Sequence, residues 1–176
     1  MIKAYLFNTL FLLLAITSCK SSKERNLNSQ LETINSDCPS DGKCSFEVLK
    51  NKSLQIKQDD FGALYPVLEE GISHVIKFEY QRDEIENTQD GHYSELIYVE
   101  LPQNMQSIQL INDDLSTVKV LFARLCFCRG QTGYYKVTKG QLEITKNEDD
   151  TYNFMLQFQI DEVPQIITLI EASFRL

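Results

Sequence analysis

The chain has 176 residues, 25 acidic against 17 basic, and a formal charge of -8. No Lys/Arg-rich run accompanies that acidity, which excludes a nucleic-acid binder, because phosphate neutralisation dominates such affinity. Charge does not draw the chain to an anionic membrane surface either.

Residues 1–19, MIKAYLFNTLFLLLAITSC, begin with Lys3 and an apolar run through Leu14, Ala15 and Ile16. Thr17, Ser18 and Cys19 follow. A positive start, an apolar stretch and small residues at a cleavage point are the parts of a secretory signal. The stretch falls short of the about 20 apolar residues that a membrane-spanning helix needs, and Asn8 and Thr9 interrupt it. Ile16-Thr17-Ser18-Cys19 resembles the lipobox of bacterial lipoproteins. That resemblance implies cleavage after Ser18, acylation of Cys19 and a lipid bilayer as partner through that acylated cysteine. Lys20 stands where an Asp would mark retention in the inner membrane. The resemblance therefore implies the cell envelope, at the outer membrane, with the facing side open.

Removing residues 1–18 takes away Lys3 alone among charged residues, leaving 158 residues and a formal charge of -9. That length suits one domain. Residues 19–37 are polar apart from Leu27, Leu31 and Ile34, and read as a lipidated tether with room for a short helix. Residues 38–176 read as a single β domain.

Within it, Phe46 and Val48 are expected to face Leu54 and Ile56 across a hairpin turn at Asn51-Lys52. His74, Ile76, Phe78 and Tyr80 form a one-sided set, as do Ile97, Val99 and Leu101. Phe154, Leu156, Phe158 and Ile160 form the clearest one. Ile170, Ala172, Phe174 and Leu176 form the last. Period 2 with one apolar face is the mark of an antiparallel strand wet on its other side. Residues 117–128 are apolar on both sides, which predicts a strand buried on both faces at the centre of the packing. Leu110 to Leu121 is ambiguous between helix and strand. The fold class expected is all-β: an antiparallel β-sandwich or barrel of about ten short strands. Acidic groups such as Asp113-Asp114 and Glu148-Asp149-Asp150 read as solvated turns; no EF-hand spacing supports calcium there.

Beyond Cys19, four cysteines remain: Cys38, Cys44, Cys126 and Cys128. An even number in an exported chain implies disulfides. Cys126 and Cys128 are i and i+2 on a strand, about 6.6 Å apart with parallel Cβ vectors, a poor geometry for a mutual bond. The expected pairing therefore crosses over, stapling the Cys38–Cys44 loop to Cys126 and Cys128. Local pairs, thiolates on a metal and free thiols are the alternatives.

No G-x-S-x-G elbow, H-E-x-x-H, P-loop or G-x-G-x-x-G occurs, so no catalytic residue, metal ligand or cofactor is assigned. His74 reads as a hydrogen-bonded core histidine. Arg124 to Lys136, RLCFCRGQTGYYK, gathers basic and aromatic groups beside glycines. Arg124, Arg129, Gln131, Tyr134 and Tyr135, with His92, form a candidate ligand surface. The plainer account is that the glycines serve a hairpin and the tyrosines pack. The expected role is a non-catalytic binding or assembly module with a protein or glycan partner. The rivals are a hydrolase of envelope polymers, needing His92 or two carboxylates in one cleft, and a small-ligand carrier with a barrel cavity.

Overall fold

The computed structural model describes residues 32–84, 86, 88 and 90–176. The leader, Cys19, and the tether as far as Leu31 lie outside the described residues.

Alternating apolar residues build two antiparallel sheets of five strands each. One sheet has the order β2 (Gly42–Gln58), β3 (Leu64–Arg82), β4 (Tyr93–Leu101), β6 (Leu121–Cys126), β7 (Gly133–Lys136). The other has the order β1 (Thr33–Ile34), β10 (Leu169–Arg175), β9 (Thr151–Gln159), β8 (Lys139–Lys146), β5 (Ile108–Ile111). Both orders are open, so the all-β fold is a sandwich and not a closed barrel. The ambiguous stretch after β5 is a 3₁₀-helix, Asn112–Val118, which drops Leu115 and Val118 into the core.

The predicted one-sided sets all reach the layer between the sheets. Ile76, Phe78 and Tyr80 meet Phe154, Leu156, Phe158, Ile170 and Phe174 there. Phe46 packs its ring edge on Phe154, and Phe122 lies 5.8 Å from Phe158 between ring centroids. Each such ring removed from water contributes about 1.5–3 kcal/mol as an upper figure. This interlayer is occupied by side chains where the carrier reading needs a cavity.

Three expectations are corrected. First, β1 pairs Thr33 with Ser173 and Ile34 with Ala172, so the folded body begins before residue 38 and Ile34 is in a strand. Second, Asn51-Lys52 does not reverse the chain. Asn51 has a left-handed φ of 57°, and the register slips between Lys50 and Lys52. One left-handed residue bends a paired strand; it does not make a two-residue turn. The reversal comes later, at Asp59–Ala63, so β2 and β3 run to 17 and 19 residues and are not short. Third, the strand greasy on both sides is not central. β6 lies between β4 and β7, and β4, buried on both faces, holds the middle.

What buries the outer face of that sheet is the far half of β2 and β3. Past the bend at Asn51 it folds over the sheet as an arm. Leu54, Ile56 and Leu64 of the arm pack on Val75, Leu96, Tyr98, Leu121, Ala123, Leu125 and Tyr134. The molecule thus has three layers: sheet, sheet and arm. Phe46 and Val48 are buried in one interlayer, and Leu54 in the other.

Candidate functional site

One end of the sandwich collects the polar chemistry. Glu95 projects from β4 into the core between Tyr93 and Ile97, and is fully buried. Its Oε1 accepts the Tyr93 hydroxyl at 2.6 Å and the Ile166 N–H at 2.7 Å. Its Oε2 accepts the Ile167 N–H at 2.8 Å. Three donors stand in for lost water, as a buried carboxylate requires. Burial, then the Glu95 hydrogen bond, pushes the Tyr93 hydroxyl up to about 12. The Arg124 guanidinium lies over the Tyr93 ring, 5.3 Å from its centroid, and donates Nε–H to the Tyr93 oxygen at 3.3 Å. Arg82 covers the same ring at 4.5 Å and forms an ion pair with Asp41 at 3.2 Å. Asp41 in turn accepts the Tyr80 hydroxyl at 2.8 Å, which holds its carboxyl below the usual range.

This network fixes residues 161–168 against the other sheet. Gln165 completes the fixing, with its Nε2 donating to the carbonyls of Phe158 and Ile167. The segment walls an open groove of about 990 Å³ on the outside of β8 and β9. Gln141 and Gln157 are cross-strand neighbours on its floor. Lys139 is paired to Asp161 at its rim. Gly140, with φ of 146°, lets β8 approach β9 where a Cβ would collide with the Gln157 carbonyl.

The residues of the candidate ligand surface are brought together only in part: Tyr134 and Tyr135 both line one groove with Thr132 and Gly133, while the others lie elsewhere. Arg124 points inward and is buried, with its Nη1 donating to the Gln131 backbone carbonyl at 2.9 Å and side-chain oxygen at 3.1 Å. Gln131 is thereby a partner of Arg124. Tyr135 faces the interlayer beside Phe122, and Tyr134 faces the arm, so the two tyrosines are on opposite sides of β7. Arg129 and His92 are exposed in separate loops. The glycines do serve a turn: Gly130 and Gly133 both take positive φ between β6 and β7.

The cysteine pairing is also corrected. Cys38 bonds to Cys44, with 5.8 Å between Cα atoms, and Cys126 bonds to Cys128, with 5.2 Å. β6 ends at Cys126, so Cys128 leaves the strand and the parallel Cβ vectors of an i, i+2 pair no longer apply. Among the described residues no three His, Cys, Asp or Glu side chains are grouped so as to hold a metal ion. The hydrolase reading has weak geometry. Glu95 has both oxygens engaged, and Glu143 and Glu171 flank Met155 in register on an exposed face, separated by one strand.

Two aromatic residues stand out: Phe61, to which no role is assigned above, and Phe127, which the apolar pattern of residues 117–128 placed on a buried strand face but which lies beyond the end of β6 at Cys126. Phe61 is 97% exposed and Phe127 is 82% exposed. Phe61 tips the arm on a turn made by Asp59, whose Oδ1 accepts the N–H groups of Phe61 and Ala63 at 2.9 and 2.8 Å. Phe127 is held out between the two bonded cysteines. The signal was present in both cases, an aromatic residue inside turn chemistry: Asp59-Asp60-Phe61-Gly62 and Cys126-Phe127-Cys128.

No protein family matches the chain, and no curated protein and no solved structure matches it either.

Proposed function

We propose that this chain is a lipid-anchored lipoprotein of the bacterial envelope, held at the outer membrane through acylated Cys19, and that its β-sandwich is a non-catalytic binding or assembly module. The observation that carries the reading is the sequence Ile16-Thr17-Ser18-Cys19 closing an apolar leader. The two cysteine pairs at bonding distance support it, since disulfides persist in oxidising compartments outside the cytosol. So does the division of the polar residues, in which Glu95 and Arg124 serve the fold. Its partner is a protein or a glycan of the envelope.

The test is mass spectrometry of the chain isolated from native membranes. The expected N-terminal peptide begins at Cys19 and carries diacylglycerol and a further acyl chain. An unmodified Cys19 in a peptide continuous with the leader sinks the reading. Cys19→Ser should release the processed body from the membrane fraction or leave the precursor uncleaved.

A further inference from the structure

We infer that Phe61 and Phe127 form a two-pronged seat that inserts into the acyl region of the membrane, so that the body rests on the bilayer by the end opposite its N-terminal strand.

Each phenylalanine is next in sequence to a residue that lines, or is hydrogen-bonded to, one groove. Gln58, Gly62 and Leu64 of the arm line it on one side, and Thr132, Gly133 and Tyr134 on the other. Phe61 adjoins Gly62, while Phe127 adjoins Cys126, whose N–H meets the Thr132 hydroxyl at 3.5 Å. Each ring is presented by a locked backbone. Asp59 holds the arm turn from within, with the Gly62 N–H donating to the Asp59 carbonyl and Gln58 to the Gly62 carbonyl. The disulfide closes the second loop on either side of its phenylalanine. A side chain held out in this way loses little freedom on insertion, which favours binding.

The arrangement fits a bilayer better than a protein partner. Two single rings on separate loops, beside a groove of mixed lining in which Gln58, Lys136 and Glu162 stand among Leu64 and Tyr134, suit a fluid layer better than the matched, closely packed surface that a specific protein interface needs. A fluid acyl layer requires no matching shape and rewards apolar area alone. Arg129, two residues beyond Phe127 and exposed, is placed to reach a lipid phosphate. Asp60 and Glu162 stand nearby and oppose an anionic surface, so the lipid expected is zwitterionic.

Chain length permits it. Glu32 lies toward the other end, where its carboxylate accepts the Val48 N–H. Val48 pairs through Ile76 with Val99, six residues along β4 from Tyr93. A nine-residue strand such as β9 spans about 30 Å. The 13 residues from Cys19 to Leu31 reach at most roughly 45 Å. An anchor at Cys19 and prongs at the far end can therefore meet one bilayer. That geometry rests on the lipoprotein reading, while insertion of the prongs does not.

The sequence contains no Trp, so single tryptophans report without background. Phe61→Trp, Phe127→Trp and, as a control, Ile72→Trp are made in the full chain, isolated from membranes and reconstituted in phosphatidylcholine vesicles with and without brominated acyl chains. Ile72 is 71% exposed and adjoins His74, the partner of Lys50 on the N-terminal side. Tryptophan at 61 and at 127 should shift to the blue and lose intensity to bromine, unchanged by added salt, while tryptophan at 72 keeps a solvent spectrum. Solvent spectra at both 61 and 127 overturn the seat, whatever else covers them. Quenching at one alone overturns the two-pronged form, and quenching at 72 instead places the wrong end on the bilayer. The acyl mass is measured on the same sample. Vesicle retention without quenching leaves the anchor and removes the seat; quenching without acyl mass does the reverse.

Discussion

Glu100 Oε2 accepts the backbone N–H of Leu54 at 2.5 Å, tying the centre of the sheet to the arm folded over it. Lys119 completes the tie. Its ammonium donates to the Leu54 carbonyl at 3.0 Å and pairs with Glu100 at 2.9 Å. One ion pair thus satisfies both backbone groups that β2, an edge strand, turns away from β3 at that residue. Salt bridges at a surface contribute little by themselves. This one matters because it stands in for a missing neighbour strand.

Glu100→Ala should therefore destabilise the chain by about 1–3 kcal/mol, the cost of leaving a half-buried N–H and an ammonium without their partner. Denaturant midpoints measure the loss. Amide exchange measures its place: Leu54 should exchange faster, with residues 51–71 following, while Phe154 and Leu156 keep their protection. A loss spread evenly over both sheets would show that the pair does not act on the arm.

The bend that launches the arm carries a pH dependence. His74 Nδ1 accepts the Asn51 N–H at 3.4 Å, which only an unprotonated nitrogen can do. Burial, then the charge of Lys50, holds the His74 pKa below 6.5. The unfolded chain takes up its proton first as pH falls below 6.5, so it binds more protons than the folded one. Stability is full above that value and declines below it. His74→Gln should flatten the profile between pH 7 and pH 5, read as denaturant midpoint against pH. Asn51→Ala should cost about 1 kcal/mol at every pH in that range, because alanine tolerates the left-handed φ less well than asparagine.

Much of the sandwich was legible because period-2 alternation survives folding unchanged: Phe154, Leu156 and Phe158 face inward as their spacing requires. The arm was not legible. Leu54 and Ile56 alternate like any strand, and alternation does not say which of two interlayers a face will meet. The turn at Asn51-Lys52 was a fair reading of local chemistry that tertiary pairing overrode. Glu95 was readable in principle, as an acid at the second position of the set Tyr93, Glu95, Ile97, Val99, Leu101. A charge on an apolar face asks for backbone donors, yet the sequence does not show that they come from Ile166 and Ile167, about seventy residues away. The ligand surface came together only in part for a related reason. Arg124 looked available because basic and aromatic groups gather beside glycines in Arg124 to Lys136, but Tyr93 and Gln131 consume it.

The Cys38–Cys44 and Cys126–Cys128 bonds close short loops, seven and three residues counting the cysteines. In the chain-entropy model the longer of these contributes about 2 kcal/mol, against about 4–5 kcal/mol for a staple closing 80–90 residues. Cys38→Ser with Cys44→Ser should lower stability by about that smaller amount and leave the chain folded at 25 °C. A non-reducing peptide map should return each pair within one local peptide. A peptide joining Cys38 or Cys44 to Cys126 or Cys128 would refute the pairing.

Tyr98 lies on the outer face of β4, beneath the arm, in the cluster with Leu54, Leu96 and Leu121. Burial, followed by the nearness of Tyr134, Glu79 and Glu47, pushes its hydroxyl up to about 12. Below pH 10 both folded and unfolded chains keep the proton, and the shift has no effect. Between pH 10 and about 12 the unfolded chain releases it first, so stability falls as pH rises through that window. Tyr93 behaves alike, but its hydroxyl also donates to Glu95, so removing it changes the core at every pH. Tyr98→Phe is the cleaner substitution. It should leave stability near pH 7 within about 0.5 kcal/mol, because the ring packing is kept. Its unfolding midpoint above pH 10 should fall less steeply than that of the unaltered chain. Parallel alkaline profiles for the two would show that Tyr98 ionises freely, and that the arm does not shield it from water.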